Sequence, residues 1–307
     1  MAAKEKDKAY VCTLSETVQK KAEEELFETP ETRSQSIQIL REKIEKCPEL
    51  HIRTDDAYLL RFLRAKKFDC ERAFQQIVRH FEVKCEKKNK ELFSDMRPSA
   101  VKHVLEDGVT GVLPQRDKFG RRVLVFRPGR WDPSKYPVPH VFKTNFMTLS
   151  KLIEDEETQV SGIIMLADLK GVGFGHATQM TPFFAKRIVS LLQDTFPMRL
   201  KGVHYVNEPT VFDIVFAVAR QFMRKKLLER VHVHGKNMNE LAEFIDLEHL
   251  PVEYGGNAPP FSNEEWKNKL LACDAEFDEE AKYGFVKTST EEKDSQPKQQ
   301  TDDVLIF

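Results

Sequence analysis

The chain has 307 residues, with 48 Lys and Arg against 49 Asp and Glu, so its net charge is −1. The length predicts one large domain or two, and the even charge balance argues against a dedicated nucleic-acid binder. The five cysteines form no C-x-x-C pair, no apolar run approaches a membrane span, and the first residues lack an apolar signal segment, so we expect a cytosolic protein with reduced thiols.

The first part of the chain predicts an N-terminal helical domain over residues 1–95. Residues 14–47 are rich in Glu, Lys and Gln, and the sparse Ile37, Leu40 and Ile44 at helical spacing predict solvent-exposed helices that add little to a core. Residues 54–81 carry a denser apolar pattern, which predicts two helices, the second capped by Asp69.

The middle of the chain changes its hydrophobic period and predicts an α/β domain over residues 96–275. Nearly continuous apolar runs at 122–126 and 163–167 are typical of strands covered on both faces. Helical patterns lie between and after these two runs, and two further short strand candidates alternate with them. The helices are expected at 139–158, 181–194 and 208–223, and the strands at 203–206 and 231–233. Such alternation predicts right-handed crossovers and a mainly parallel sheet flanked by helices.

Residues 276–307 are predicted to form a largely disordered tail, because the sequence after about residue 285 has almost no apolar content. The tail ends in a short apolar segment at 304–307. That segment is either a frayed end or a docking peptide or intramolecular latch.

The helix predicted to begin at Asn207, with Pro209 in its first turn, is apolar on nearly every side. Between Val211 and Ala219 only Asp213 is polar. Residues 220–230 follow with five basic residues against one acid. This combination is typical of an element that docks on a membrane surface. A buried core helix followed by a solvated charged helix is the alternative.

Two other predicted helices, at 139–158 and 181–194, have wider apolar faces than packing on a sheet requires. Thr181 and Pro182 form a suitable cap and first turn for the second of them. Either these faces are all core, or they line an internal pocket with Asn145, Ser150 or Thr195 as its polar groups.

Three patterns that could carry chemistry are incomplete. Residues 171–175 lack the third glycine of a dinucleotide fingerprint, since His176 stands in its place. His232 and His234 could ligate a metal only with a third ligand, so we expect them to pack in or beside the sheet. Asp168 and His176 accompany no nucleophile motif. The sequence therefore predicts no catalysis, no cofactor and no metal.

Three ordered motifs resemble the CRAL-TRIO (Sec14-like) lipid-binding family over about residues 50–260. They are LLRFLRAKKF at 59–68, DTFP at 194–197 with VNEP at 206–209, and LPVEYGG at 250–256. Within the family, the resemblance is strongest to members that transfer tocopherol and next to members that bind retinaldehyde. It implies a helical N-terminal domain and an α/β domain that encloses an apolar cavity under a mobile gate helix.

The resemblance also implies which residues bind lipid and membrane. The cavity wall would be formed by Phe142, Asn145, Leu149, Ile163, Ala167, Ile188, Leu191, Leu192 and Val203. The gate would present Phe212, Val215, Phe216 and Val218. A basic patch for phosphoinositide head groups would consist of Lys66, Arg199, Lys201, Lys226 and Arg230.

Together these features predict a cytosolic carrier, not an enzyme, that encloses one tocopherol-like or retinoid-like isoprenoid and exchanges it at phosphoinositide-bearing membranes. Its membrane association would be peripheral and transient. One alternative is a protein that exchanges and presents phosphatidylinositol, which requires a phosphate site inside the cavity. Another is an interaction module or lipid-gated scaffold acting through the N-terminal helices or residues 304–307. The sequence indicates no nucleic-acid partner and identifies no protein partner.

Overall fold

The computed structural model describes residues 10–286 of the chain; the predicted tail beyond residue 286, with its apolar segment at 304–307, lies outside these residues. The N-terminal part is helical. It consists of α1 (Glu16–Leu26), α2 (Pro30–Glu45), β1 (Leu50–His51), α3 (Asp56–Ala65), α4 (Cys70–Cys85), α5 (Lys90–Phe93) and α6 (Lys102–Glu106). Ser15, Thr29, Asp55 and Asp69 cap the four longer helices through side-chain oxygens, so the predicted cap at Asp69 is confirmed.

The prediction that the first helices add little to the core is wrong for α2. Ile37, Leu40 and Ile44 are all buried, in one cluster with Leu59 of α3 and Ile77 of α4. A narrow apolar stripe is enough to seat a charged helix on two neighbours, because its polar residues remain on the opposite side.

Five strands form the central sheet in chain order. They are β2 (Thr110–Val112), β3 (Arg122–Phe126), β4 (Ile163–Asp168), β5 (Leu200–Val206) and β6 (Val231–Val233). β2 is antiparallel to β3, and the other neighbouring pairs are parallel, so the predicted mainly parallel sheet is confirmed. β2 has three residues, one of them a glycine, which is too few to show the alternation of apolar and polar residues that predicts a strand from sequence.

Helices connect the strands and cover the sheet. They are α7 (Val138–Leu152), α8 (Glu156–Ser161), α9 (Phe174–Ala177), α10 (Pro182–Ser190), α11 (Val211–Ala219) and α12 (Lys225–Leu228). A π-helical turn over Leu191–Thr195 continues α10. The single helix predicted over 139–158 is wrong, because Asp155 is extended and begins α8 as a separate helix. No helix within residues 10–286 combines the length and apolar character needed to cross a bilayer.

The two faces of the sheet are covered by different parts of the chain. β4 places Ile163, Met165 and Ala167 on one face and Ile164 and Leu166 on the other, since side chains alternate along a strand. The second face packs against the segment that follows β6. The first face packs against α7 and the residues after α10, and we call it the helix-covered face.

The chain then returns to its N-terminal helices. It continues through α13 (Glu264–Leu271), α14 (Asp274–Glu280) and β7 (Gly284–Phe285), and β7 pairs antiparallel with β1. The boundary predicted after residue 275 therefore falls inside α14. Tyr283 and Phe285 pack on the core of the N-terminal helices.

A buried ion pair ties the N-terminal helices to α8. The fully buried Arg64 donates from Nε and Nη2 to the carboxylate of Glu28, at 2.9 and 2.8 Å, and from Nη1 to Gln159 of α8 at 2.8 Å. Its Nη2 also donates to the hydroxyl of Tyr10 at 3.1 Å. Burial opposes the charge of Arg64, but the bonds and charge of Glu28 outweigh burial and raise its pKa. The pair therefore stays ionised.

Candidate functional site

The predicted wall residues lie in one layer over the helix-covered face. Ile163, Ala167 and Val203 are buried on β4 and β5. Opposite them, α7 contributes Leu149, which is buried, and Phe142, which is half-buried in the same cluster as Ile163.

The helix α10 and its π-helical turn complete this layer. Thr181 accepts a hydrogen bond from Phe184 and Pro182 occupies the first turn, so the predicted start of α10 is confirmed. Leu191 is buried, and Ile188 and Leu192 are half-buried. Ile188 packs with Leu191 in a cluster that also includes Phe142 of α7, and Leu192 packs in the cluster that contains Ile163 of β4.

The three predicted polar groups of the pocket bond to the protein itself. Asn145 donates to the carbonyl of Val141 at 2.9 Å and lies 3.2 Å from the hydroxyl of Thr110. The hydroxyls of Ser150 and Thr195 each donate to a backbone carbonyl one turn earlier, at 3.0 and 2.6 Å. Each of these three side chains therefore has a structural role in its own helix or turn.

The prediction that Asn207 caps α11 is wrong. Asn207 has a φ of 56°, and its side-chain amide donates to Asp168 at 2.8 Å. The helix begins four residues later, after a turn in which Pro209 accepts from the backbone of Phe212. The left-handed conformation turns the chain sharply at the end of β5, and the bond to Asp168 stabilises it. Tyr254 also donates to Asp168, at 3.2 Å, so this carboxylate holds structural bonds.

α11 lies at the surface, so the alternative of a buried core helix is wrong. Phe212 is the buried residue of this helix, whereas Val215, Phe216 and Val218 on its inner side are half-buried. On its outer side, Ile214 is 66% exposed. This short apolar helix therefore has an apolar side that faces solvent, as helices that dock on a membrane surface do.

Sequence analysis missed Tyr205, the residue of β5 that contacts α11. Its ring centroid lies 4.9 Å from that of Phe212 and 6.2 Å from that of Phe216, and the two phenylalanine rings stack at 5.3 Å. Burial raises the pKa of Tyr205 to about 12. Tyr205 pairs in register with Ala167, so extending the alternation from Val203 by two residues would have found it.

The structure brings the five predicted basic-patch residues together from distant parts of the chain. Lys66 ends α3, Lys226 lies on α12, and the other three flank or lie in β5 and β6. Burial, followed by repulsion from Arg230, lowers the pKa of Lys226, and Lys226 contributes in turn to the lowered pKa of Lys66. Burial and then Arg199 lower the pKa of Arg230. Such mutual repulsion favours binding of an anion.

One carboxylate of α1 occupies part of this patch. Glu25 accepts from Arg199 at 2.5 Å and from Lys201 at 3.0 Å. Burial by itself would raise the pKa of Glu25, but the bonds from Lys201 and Arg199 lower it to about 2. Glu25 therefore neutralises two members of the patch, and nothing in the local sequence of α1 indicates this.

The histidines of β5 and β6 pack together, as expected for His232 and His234. His204 of β5 stacks on both, and its Nδ1 lies 3.0 Å from Nε2 of His234. Nδ1 of His234 lies 2.8 Å from a carboxylate oxygen of Glu240. Burial lowers the pKa of His204 to about 3. Residues 10–286 contain no group of three His, Cys, Asp or Glu placed to hold a metal ion.

Comparison with known proteins gives a consistent assignment. The CRAL/TRIO domain matches residues 106–256, and the CRAL/TRIO N-terminal domain matches residues 13–79. An alpha-tocopherol transfer protein-like protein from Mus musculus is 45% identical over 269 residues, which cover 87% of this chain and 78% of the mouse protein. Clavesin-2 from Rattus norvegicus is 36% identical over 88% of this chain and 82% of its own length. The crystal structure of Sfh5 aligns with a TM-score of 0.45 and 16% identity, over 83% of this chain and 92% of that chain.

Proposed function

The chain belongs to the CRAL-TRIO family, and on that premise we propose that it carries one hydrophobic lipid between the helix-covered face of its sheet and α11. The surface position of α11, with its inner aromatic residues on Tyr205 and Ile214 exposed outside, is the observation that carries this proposal. Similarity to a tocopherol transfer protein-like relative supports a tocopherol-like isoprenoid as cargo. The sequence resemblance to family members that bind retinaldehyde makes a retinoid-like one the next candidate. Carriage makes or breaks no covalent bond.

In this proposal α11 is the gate and remains attached at both ends while it moves. Before it, Asn207 is bonded to Asp168. After it, the side chain of Gln193 donates to the carbonyl of Phe222 at 3.1 Å and accepts from the backbone of Arg224 at 2.7 Å. Opening then requires that the contacts of α11 with Tyr205, α9 and α10 separate. The apolar inner side of the helix would be stabilised by insertion at the headgroup boundary.

The basic patch supports membrane docking at phosphoinositides. Lys226 is exposed and Arg230 is half-buried beside it, and α12, which carries Lys226, follows α11 after a short connection. Cations that flank an apolar helix attract anionic headgroups while the helix buries its apolar side. None of the thirteen proposed wall and gate residues is cationic, so this layer offers no support for a lipid phosphate held inside it.

Lipid retention with two variants of α11 tests the proposal. The protein is incubated with mixed tocopherols, retinoids, sterols and phosphatidylinositol, and bound lipid is identified by native mass spectrometry after free lipid is removed. We expect one isoprenoid per protein, lost in Val215→Trp because the indole would occupy the proposed lipid site on the inner side of α11. Ala217→Trp places the same side chain on the exposed outer side and should retain lipid. Retention of phospholipid alone, or equal retention by both variants, would contradict the proposal.

Removing the charge of Glu25 should strengthen membrane docking. Glu25→Gln frees Arg199 and Lys201 for headgroup phosphates, and one charge near an anionic surface is worth about 1 kcal/mol, or about fivefold in binding. The measurement is cosedimentation with phosphoinositide-containing vesicles. Glu24→Gln is the control, since Glu24 is exposed and lies 3.9 Å from Lys20. Equal binding of both variants and the unmodified protein would show that Glu25 does not compete with headgroups.

A further inference from the structure

A cleft of about 500 Å³ lies between the N-terminal helices and the returning C-terminal segment. Phe146, Ser150 and Ile153 line it, whereas Phe142 and Leu149 of the proposed lipid site do not, although they pack in the same core cluster as Phe146. Its volume is within the range of about 300–1,000 Å³ that small-molecule pockets occupy.

Aromatic rings form the inner wall of the cleft. Phe146 of α7 packs edge-to-face on Phe93 and on Phe196, with ring centroids 5.2 and 5.1 Å apart. Phe62 of α3 lies 5.9 Å from the ring of His80, which is buried. Nδ1 of His80 lies 3.1 Å from the carbonyl of Thr195, so this nitrogen is engaged. The wall is therefore apolar and firmly packed, and it suits the hydrocarbon part of a ligand.

Two cations that line this cleft form no salt bridge with another residue of the part of the chain that the structure describes. Nε of Arg61 is buried and has no hydrogen-bond partner within residues 10–286. Nζ of Lys84 lies over the rings of Phe81 and Phe146, at 4.9 and 5.9 Å. Burial lowers the pKa of Lys84 to about 8; the charge of Glu280 opposes this shift and repulsion from Arg61 adds to it, so both charges lie near Lys84.

Three of the five acidic residues that line the cleft form close ion pairs. Asp95 accepts from Arg97 at 2.6 Å. Glu154 and Glu276 both accept from Lys151, at 2.5 and 2.6 Å. Glu280 also lines the cleft, lies 3.9 Å from Arg53 and attracts Lys84 at longer range, so Arg61 and Lys84 are cations of the cleft that have no direct ion pair among the described residues.

We propose that this cleft binds an amphiphilic carboxylate of the long-chain fatty acid class. Its carboxylate would lie between Arg61 and Lys84, and its alkyl chain would lie along Phe146 and Phe196. A carboxylate accepts charge-assisted hydrogen bonds from two cations, and it is the smallest anionic head that an apolar chain carries. This site is separate from the one under α11 and does not depend on the proposed carrier function.

Titration of the full chain with dansyl-labelled undecanoic acid, followed by fluorescence, tests the site. Lys84→Met and Arg61→Met should each weaken binding by about tenfold or more, because each removes a charge-assisted bond. Lys87→Met is the control: Lys87 is exposed, three residues from Lys84 and outside the cleft. The methyl ester of the probe should bind the unmodified protein as weakly as the acid binds Lys84→Met.

A second pair of variants identifies where the probe binds. Ser150→Trp fills the cleft and should abolish binding, whereas Val215→Trp would occupy the proposed lipid site on the inner side of α11 and should not change it. Equal binding of acid and ester, or unchanged binding in both Lys84→Met and Arg61→Met, would overturn the proposal. Loss of binding in Val215→Trp alone would place the probe under α11 and would also overturn it. Thermal unfolding of each variant verifies that it is folded.

Discussion

Replacing Arg64 by Met should lower the free energy of unfolding by about 3–5 kcal/mol, the usual cost of removing one partner from a buried ion pair. The variant leaves the buried carboxylate of Glu28 with Arg33 as its remaining cationic partner, at 2.8 Å. It also removes the bond to Gln159, which joins α3 to α8. Urea denaturation followed by circular dichroism measures the change.

A control and a pH series distinguish the buried pair from a general effect of losing an arginine. Arg79→Met removes a half-exposed pair on α4 and should cost less than about 1 kcal/mol. Bonds from Arg64 hold the pKa of Glu28 below its ordinary value despite burial. The stability that this lowered pKa contributes is complete above about pH 4.3, the pKa of an unfolded glutamate, and is lost as pH falls further. The difference between the unmodified protein and Arg64→Met should therefore shrink below about pH 4. If this difference in stability did not change with pH, packing alone, and not the ionised pair, would account for the effect of Arg64→Met.

The double variant Lys226→Ala/Arg230→Ala should weaken binding to phosphoinositide-containing vesicles by about thirtyfold. Each basic residue near an anionic leaflet contributes about 1 kcal/mol, and two independent contributions give about 2 kcal/mol. Vesicle cosedimentation measures the loss, and binding of the unmodified protein should fall as ionic strength rises. Lipid retention in solution should not change, because both positions lie outside the layer under α11.

The matched control is Lys87→Ala/Lys90→Ala, which removes the same charge from two exposed residues outside the basic patch. Its vesicle binding should stay close to that of the unmodified protein. Equal losses in the two double variants would mean that net charge, and not the patch, controls docking. Equal losses of vesicle binding and lipid retention in Lys226→Ala/Arg230→Ala would show that the patch supports the fold of the carrier.

Local patterns determined the framework of this protein. The apolar runs at 122–126 and 163–167, the cap at Asp69 and the start of α10 all follow from residues within a few positions of each other. The family motifs are equally local, and they identified the family. The apolar character of α11 was also visible, because a helix without a polar side shows this within three turns.

Only the tertiary structure decided which residues share a site. Glu25 reaches Arg199 across 174 positions, and its charge changes the basic patch that sequence motifs identified. Asn207 does not cap the helix that its residue type predicted it to cap, because a bond to Asp168 on another strand stabilises a left-handed turn at Asn207. Arg61 and Lys84 lie in one cleft with aromatic residues that come from distant parts of the chain, and only the folded structure shows this. Periodicity reports which side of a helix or strand is buried, but register, ion pairing and clefts depend on which elements meet, and long-range packing decides that.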